Sequence, residues 1–268
     1  MSHLIDLSHP IRLGQSNHPG LPGPTWKAFR SRDHYRATTG TEFQVDQVVM
    51  VGNTGTYLDS PFHRFPHGHD LAGIPLAAVA DLPAVVVDAR GRRAVDVPLL
   101  TGQRRAGAAV NGAAVLLRTG GDRAYGTSEY FQDAPHLTGD AATWLAERTP
   151  ALVGIDAVNI DDLDDPARPA HTTLLGAGVL IIEHLTRLHA LPARGARLHA
   201  APPAWHGIGT WPVRAYAVLP VTDDIDPDNT DRTESGQPPG STSTTTRHAS
   251  PLGLEHLSPV PTDPQETA

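Results

Sequence analysis

The chain has 268 residues, no cysteine and a formal net charge of −8 at pH 7. That length is enough to bury one substantial core. The missing thiols exclude disulfides, thiolate metal sites and cysteine nucleophiles, and the charge excludes the clustered basic surface that nucleic-acid binding needs.

The first residues, MSHLIDLSHP, lack a basic segment leading into an apolar one. The longest apolar stretch, around 179–182, is far too short to span a bilayer. A cytoplasmic protein with no membrane partner is expected. A strand is predicted at 47–51, followed by the segment NTGTYLDSPFH at 53–63. Pro61 bars a regular helix there and Gly55 permits a tight turn, so Asp59 and His63 are expected on a stiff, irregular loop. Short β-branched runs predict buried strands at 84–88 (AVVVD) and 114–118 (AVLLR). A helix is expected over 140–148, with Thr138 as its N-cap and Trp144 and Leu145 on its inner face. Strand 152–156 (LVGID) follows. The acidic run 161–165 reads as a solvated face, or as a segment that helps enclose a pocket because it leads directly into His171, and His67-Gly68-His69 reads as solvated on its Pro/Gly loop. A short helix should begin near His171 and stop at Gly176 or Gly178. Strands at 179–183 (VLIIE), 197–200 and 214–219 complete the body. The mixture predicts an α/β fold; internal repeats and a glycine-rich phosphate loop are both absent. Residues 1–221 read as one domain. From Thr222 onward the chain holds nine acids and two bases among Asp, Pro, Ser, Thr and Gly, which predicts a disordered tail over 222–268.

Two spots carry chemistry. Asp59 and His63 form one acid/base pair of residues. Glu183 ends an apolar run, where an unpaired carboxylate would cost several kcal/mol or be protonated, so it needs a basic side chain or a metal as partner.

These segments resemble the cyclase family, which includes bacterial kynurenine formamidases and isatin hydrolases. The family motif has the form His-x-Gly-Thr-His-x-Asp-x-Pro-x-His, and Gly55, Thr56, Asp59, Pro61 and His63 fall in its register. His171 and Glu183 reproduce a later His and Glu twelve residues apart. Ile5-Asp6-Leu7-Ser8, Pro19-Gly20, Leu117-Arg118-Thr119-Gly120 and Pro212-Val213-Arg214-Ala215 also match, so the resemblance spans about 3–220. Two metal-binding histidines of the motif are replaced, by Asn53 and Tyr57. The resemblance implies a compact α/β fold with a mixed, β-barrel-like core and flanking helices, assembled as a homodimer or homotetramer. It implies one divalent metal ion, zinc, manganese or another, held by Asp59, His171 and Glu183. Asn53 would offer a poor neutral oxygen, and Tyr57 would be either a phenolate ligand or a substrate-facing hydroxyl. His63 matches the catalytic acid/base, with Tyr57 as its possible companion. His18 stands where a substrate-contacting aromatic is placed, and Arg118 could hold a substrate carboxylate or pair with an acid such as Asp156. The implied activity is metal-assisted hydrolysis of a small amide or cyclic amide, as in arylformamidases. A metal-poor or metal-free acid/base cyclase or dehydratase, and a non-catalytic small-molecule-binding protein, stay open.

Overall fold

A computed structural model describes residues 3–102 and 110–220 of the chain; the expected disordered tail, 222–268, lies outside the described residues. In chain order the elements are strands β1 (His3–Asp6) and β2 (Thr25–Arg30), helix α1 (Arg32–Thr39), β3 (Val45–Val49), β4 (Tyr57–Asp59), β5 (Leu82–Asp88) and β6 (Ala94–Val95). Helix α2 (Val97–Gly102), β7 (Ala114–Arg118), β8 (His136–Leu137), α3 (Gly139–Ala146), β9 (Leu152–Ile155) and α4 (Pro169–Gly176) follow. Strands β10 (Leu180–Glu183), β11 (Arg197–His199), β12 (Thr210–Pro212) and β13 (Tyr216–Leu219) end the body. Short 3-10 turns, among them Pro61–His63, join them.

Nine strands form one mixed sheet in the order β1-β13-β11-β5-β7-β9-β10-β4-β12. The middle is parallel from β5 through β7 and β9 to β10, and the flanks are antiparallel. Parallel strands buried on both faces read as continuous apolar runs, which is why β5, β7, β9 and β10 are the strands the sequence predicts best. Successive side chains alternate faces, and two cores result. Val85, Val87, Val115, Leu117, Val153, Ile155 and Ile181 face α3 and α4, with Leu145, Leu174 and Leu175 packed on them. On the other face all nine strands contribute to a single cluster: Ile5, Ala217, Leu198, Val86, Leu116, Leu152, Ile182, Leu58 and, partly buried, Trp211. A sheet whose every strand reaches one cluster is curled around it, giving the half-barrel the family resemblance implies.

The chain departs from expectation in two places. The segment taken as irregular loop contains β4, whose three residues are all buried between β10 and β12; so short a strand shows no alternation of its own. The strand expected at 47–51 is β3, and with β2 it forms a separate antiparallel hairpin. Helix α1 between them is capped by Ser31, whose side chain accepts from His34 N at 3.1 Å, and stopped by Gly40 in the left-handed region. None of the residues in β2, α1 or β3 is buried. No helix among the described residues is long and apolar enough to cross a membrane.

Candidate metal centre and active-site cleft

The register of β4 places the chemistry. Tyr57 lies opposite Glu183 of β10, and Asp59 lies opposite Thr210 of β12. With Leu58 turned into the half-barrel core, Tyr57 and Asp59 share the other face, beside Glu183, which follows Ile181 by two on the helix-bearing side. Helix α4 then brings in His171. Its N-terminus has no cap from the preceding residue. The Asp161 carboxylate caps it from a distance, accepting from Ala170 N at 2.5 Å and His171 N at 3.1 Å, an arrangement that also suits the helix dipole.

The same Asp161 carboxylate accepts from His171 Nδ1 at 2.6 Å. This fixes the proton on Nδ1 and turns Nε2 inward, 3.7 Å from Asp59 Oδ2 and 3.6 Å from Glu183 Oε1. Reading residues 161–165 as a solvated face is therefore wrong for Asp161, which is buried. On the other side of Asp59, one hydroxyl serves two partners. Thr210 Oγ1 donates to Asp59 Oδ1 at 2.5 Å and lies 2.6 Å from His63 Nδ1. With the hydroxyl proton spent on Asp59, His63 Nδ1 must donate, and its Nε2 is left as an acceptor. The second oxygen of Asp59, Oδ2, is buried without a hydrogen-bond partner. Asp59, His63 and His171 offer ligand atoms within 4.8 Å of one another, a candidate metal centre. A buried carboxylate oxygen without a hydrogen bond beside an inward imidazole nitrogen is costly unless a cation completes it, so Asp59 and His171 fit a divalent ion, while His63 Nδ1 is taken by Thr210.

Glu183 is satisfied differently. Its Oε1 accepts from Ile160 N at 2.6 Å, and its Oε2 accepts a short hydrogen bond from the Tyr57 hydroxyl. Burial, reinforced by the charges of Glu183 and Asp59, pushes the Tyr57 hydroxyl well above its usual range, and the hydroxyl proton is donated to Glu183 in that hydrogen bond. Asn53 lines the same cleft as Tyr57. Burial also raises Glu183, to about 7. Burial opposes charge on His171, yet Asp161, Asp59 and Glu183 together outweigh it and raise the imidazole to about 10. Asp59 goes the other way: burial works against its charge, and His171, His63 and Thr210 hold it below the usual range.

These groups open into a cleft of about 310 Å³ lined by His18, Leu21, Asn53, Tyr57, His63, Arg64, Asn159, Arg168, His171 and Glu183. His18 sits at its rim with Nδ1 2.9 Å from Pro19 O. Arg118 does not line the cleft: it pairs with Asp88 at 2.5 Å, one strand over in the β5–β7 register. Asp156, suggested as its alternative partner, accepts instead from Thr119 N and Oγ1 and from Gly120 N. Trp205 and Trp211 pack against each other, with ring centroids 5.4 Å apart, outside the cleft lining. The sequence gives no hint of Thr210, and Arg64 and Arg168 are visible only once the cleft is assembled.

Comparison with known proteins places the chain among similar folds and sequences. The profile of the family described as "Putative cyclase" matches residues 5–162. A kynurenine formamidase of Bacillus mycoides is 28% identical over 220 residues, covering 80% of this chain and 96% of that protein. Isatin hydrolase A of Labrenzia aggregata, solved with benzyl benzoate bound, superposes with a TM-score of 0.68 at 26% identity, covering 81% of this chain and 94% of the other. Isatin hydrolase A of Ralstonia solanacearum gives 0.69 at 25% identity, covering 82% and 92%.

Proposed function

The chain belongs to the cyclase family, and from that premise we propose that it is a metal-assisted hydrolase of a small amide or cyclic amide, the chemistry named for its kynurenine formamidase and isatin hydrolase relatives. The observation that carries this reading is the bare, buried Asp59 Oδ2 facing His171 Nε2, with His63 wired to the same carboxylate through Thr210.

One divalent ion, zinc or manganese by donor type, would be held by Asp59 and His171, with Glu183 Oε1 beside them and Asn53 as a neutral donor on the wall. When bound, the ion polarises the scissile carbonyl and eases deprotonation of a water molecule. The remaining work belongs to the side chains. Asp161 locks His171 in the tautomer that presents Nε2. Thr210 does the same for His63, whose free Nε2 takes a proton from the attacking water and returns it to the leaving nitrogen. Tyr57, by donating to Glu183, keeps that carboxylate oriented and partly neutralised. His18 contacts substrate at the rim. Tyr57 and His63 are each committed to a different partner, which argues against the metal-free acid/base pair.

The same reading includes a homodimer. The hairpin of β2 and β3 exposes Trp26, Phe29, Val45, Val48 and Val49, with Phe43 exposed just ahead of β3, and a two-stranded sheet with open faces is marginal in water until something covers it.

Elemental analysis tests the proposal. About one ion per chain is expected in the purified protein, lost in Asp59→Ala and His171→Ala, together with hydrolysis of formanilide or isatin. Protein that takes up neither zinc nor manganese would sink it.

A further inference from the structure

Two guanidinium groups stand among the residues that line the cleft. Arg64 closes the 3-10 turn that carries His63. Arg168 sits immediately before α4 in the left-handed region, at φ 50°, a conformation that a non-glycine residue adopts at a cost. Among the described residues neither forms an ion pair with a carboxylate. The neighbouring acids are otherwise engaged. Arg93 takes Asp162 at 3.1 Å and approaches Asp164 at 3.9 Å. Asp161 lies under α4, and Asp165 accepts from Ala167 N. Arg168 spends two donors on the carbonyls of Asp162 and Leu163, at 2.9 and 3.4 Å. Those bonds anchor it, and the rest of its five N–H groups stay available. Arg64 makes no side-chain hydrogen bond with any described residue. Asp59, Asp161 and Glu183 all face His171 rather than either arginine. Both arginines are therefore left without a carboxylate partner among the described residues.

We propose that Arg64 and Arg168 select an anionic substrate, a small amide whose carboxylate is gripped at the cleft mouth while its carbonyl lies over the Asp59–His171 centre. This rests on the hydrolase reading and names the substrate class for it. An arginine fork matches a carboxylate in shape and charge, and does so without the desolvation a buried pair would require. Because both arginines line the same cleft of about 310 Å³ as His63 and His171, the site favours acids whose amide and carboxylate are near neighbours, such as ortho-substituted aryl amides. A neutral lactam leaves both arginines unused.

The test compares N-formylanthranilate with formanilide, which differ by one carboxylate, using metal-loaded full-length protein. The wild type should favour the carboxylate compound by about tenfold or more in kcat/KM. Arg64→Gln and Arg168→Lys should pull that ratio toward one through KM, and Arg64→Glu should invert it. A wild-type ratio near one, or a ratio that none of the three variants moves, overturns the proposal. Should neither compound turn over, the hydrolase reading fails on its own, and calorimetric binding of benzoate against benzamide still decides the arginines. Tighter benzoate binding that Arg64→Gln weakens supports them. Equal binding, or benzoate binding indifferent to Arg64, overturns them, the latter assigning the anion to the metal alone.

Discussion

Thr210 has a single hydroxyl proton, and its direction sets the protonation pattern of two other residues. Replacing it with valine keeps the volume and removes the bridge, so His63 loses its fixed tautomer and Asp59 loses a hydrogen bond that lowers its pKa. Thr210→Val should lower kcat by about a hundredfold, within the range ascribed to positioned acid/base groups, with bound metal retained; steady-state kinetics beside elemental analysis separates the two. Asp161 acts on the other histidine. Asp161→Asn cannot hold Nδ1–H as a charged partner, and the affinity for zinc should drop roughly 10–100-fold, read by chelator competition. Neither residue was legible in the sequence. Asp161 looks like the first of four acids in a solvated run; what sets it apart is burial between Ile160 and α4. Thr210 is an ordinary threonine whose importance comes from pairing with a strand 151 positions earlier. Asp59, His63, His171 and Glu183 are legible because a motif brings them into register, whereas Arg118 stays open between a substrate carboxylate and an ion pair until the strand register sets it beside Asp88.

At the scale of elements, the site depends on how closely β12 approaches the turn after β4. A side chain at Gly209 would place its Cβ 2.4 Å from His63 N and 2.7 Å from His63 Cα, so only glycine lets the two segments meet, and Ser60 N donates to Gly209 O at 2.8 Å to hold them. Gly209→Ala should displace His63 and reduce kcat about tenfold or more, since a shift on the ångström scale in a catalytic group is costly; a crystal structure of the variant would show His63 moved, and an unmoved His63 with full activity would refute the argument. Gly55 is needed for another reason: its φ of 65° belongs to the left-handed region, and a Cβ there would meet Ile11 at 2.9 Å. The long central strands were readable from their apolar runs, and α3 from its cap, Thr138, which accepts from Ala141 N. The hairpin of β2 and β3 was only half readable: 47–51 shows β propensity, but β2, with its mixed TWKAFR, does not alternate cleanly and bulges between Ala28 and Arg30.

The whole molecule has a built-in sensitivity to acid. His9 is stacked on Tyr125, with ring centroids 3.6 Å apart, and burial, strengthened by Arg12 and opposed by Asp122, lowers it to about 4. A histidine depressed in the folded state binds its proton more readily when unfolded. The contribution of His9 to stability is therefore full above about 6.5, the unfolded value, and declines as pH falls toward 4. His9→Phe keeps the stacking and removes the titration, so its urea midpoint should fall less between pH 7 and pH 5 than that of the wild type; parallel declines would exclude His9 as a cause. Assembly is tested at the same scale: Trp26→Asp, on the exposed hairpin, should convert a dimer to a monomer by light scattering without lowering metal content, and a wild-type monomer would refute the dimer. One topological fact bears on how the protein comes to exist. Strand β1 pairs with β13, residue for residue from His3↔Leu219 to Asp6↔Tyr216, and β4 is bordered by β12. On a ribosome the first strand must therefore wait for the last, and Asp59 must wait for Thr210, while β5, β7 and β9 are already free to pair. The candidate site is thus assembled late in synthesis, just ahead of the β1–β13 pairing, and a nascent chain halted before residue 210 carries most of its core but no complete site.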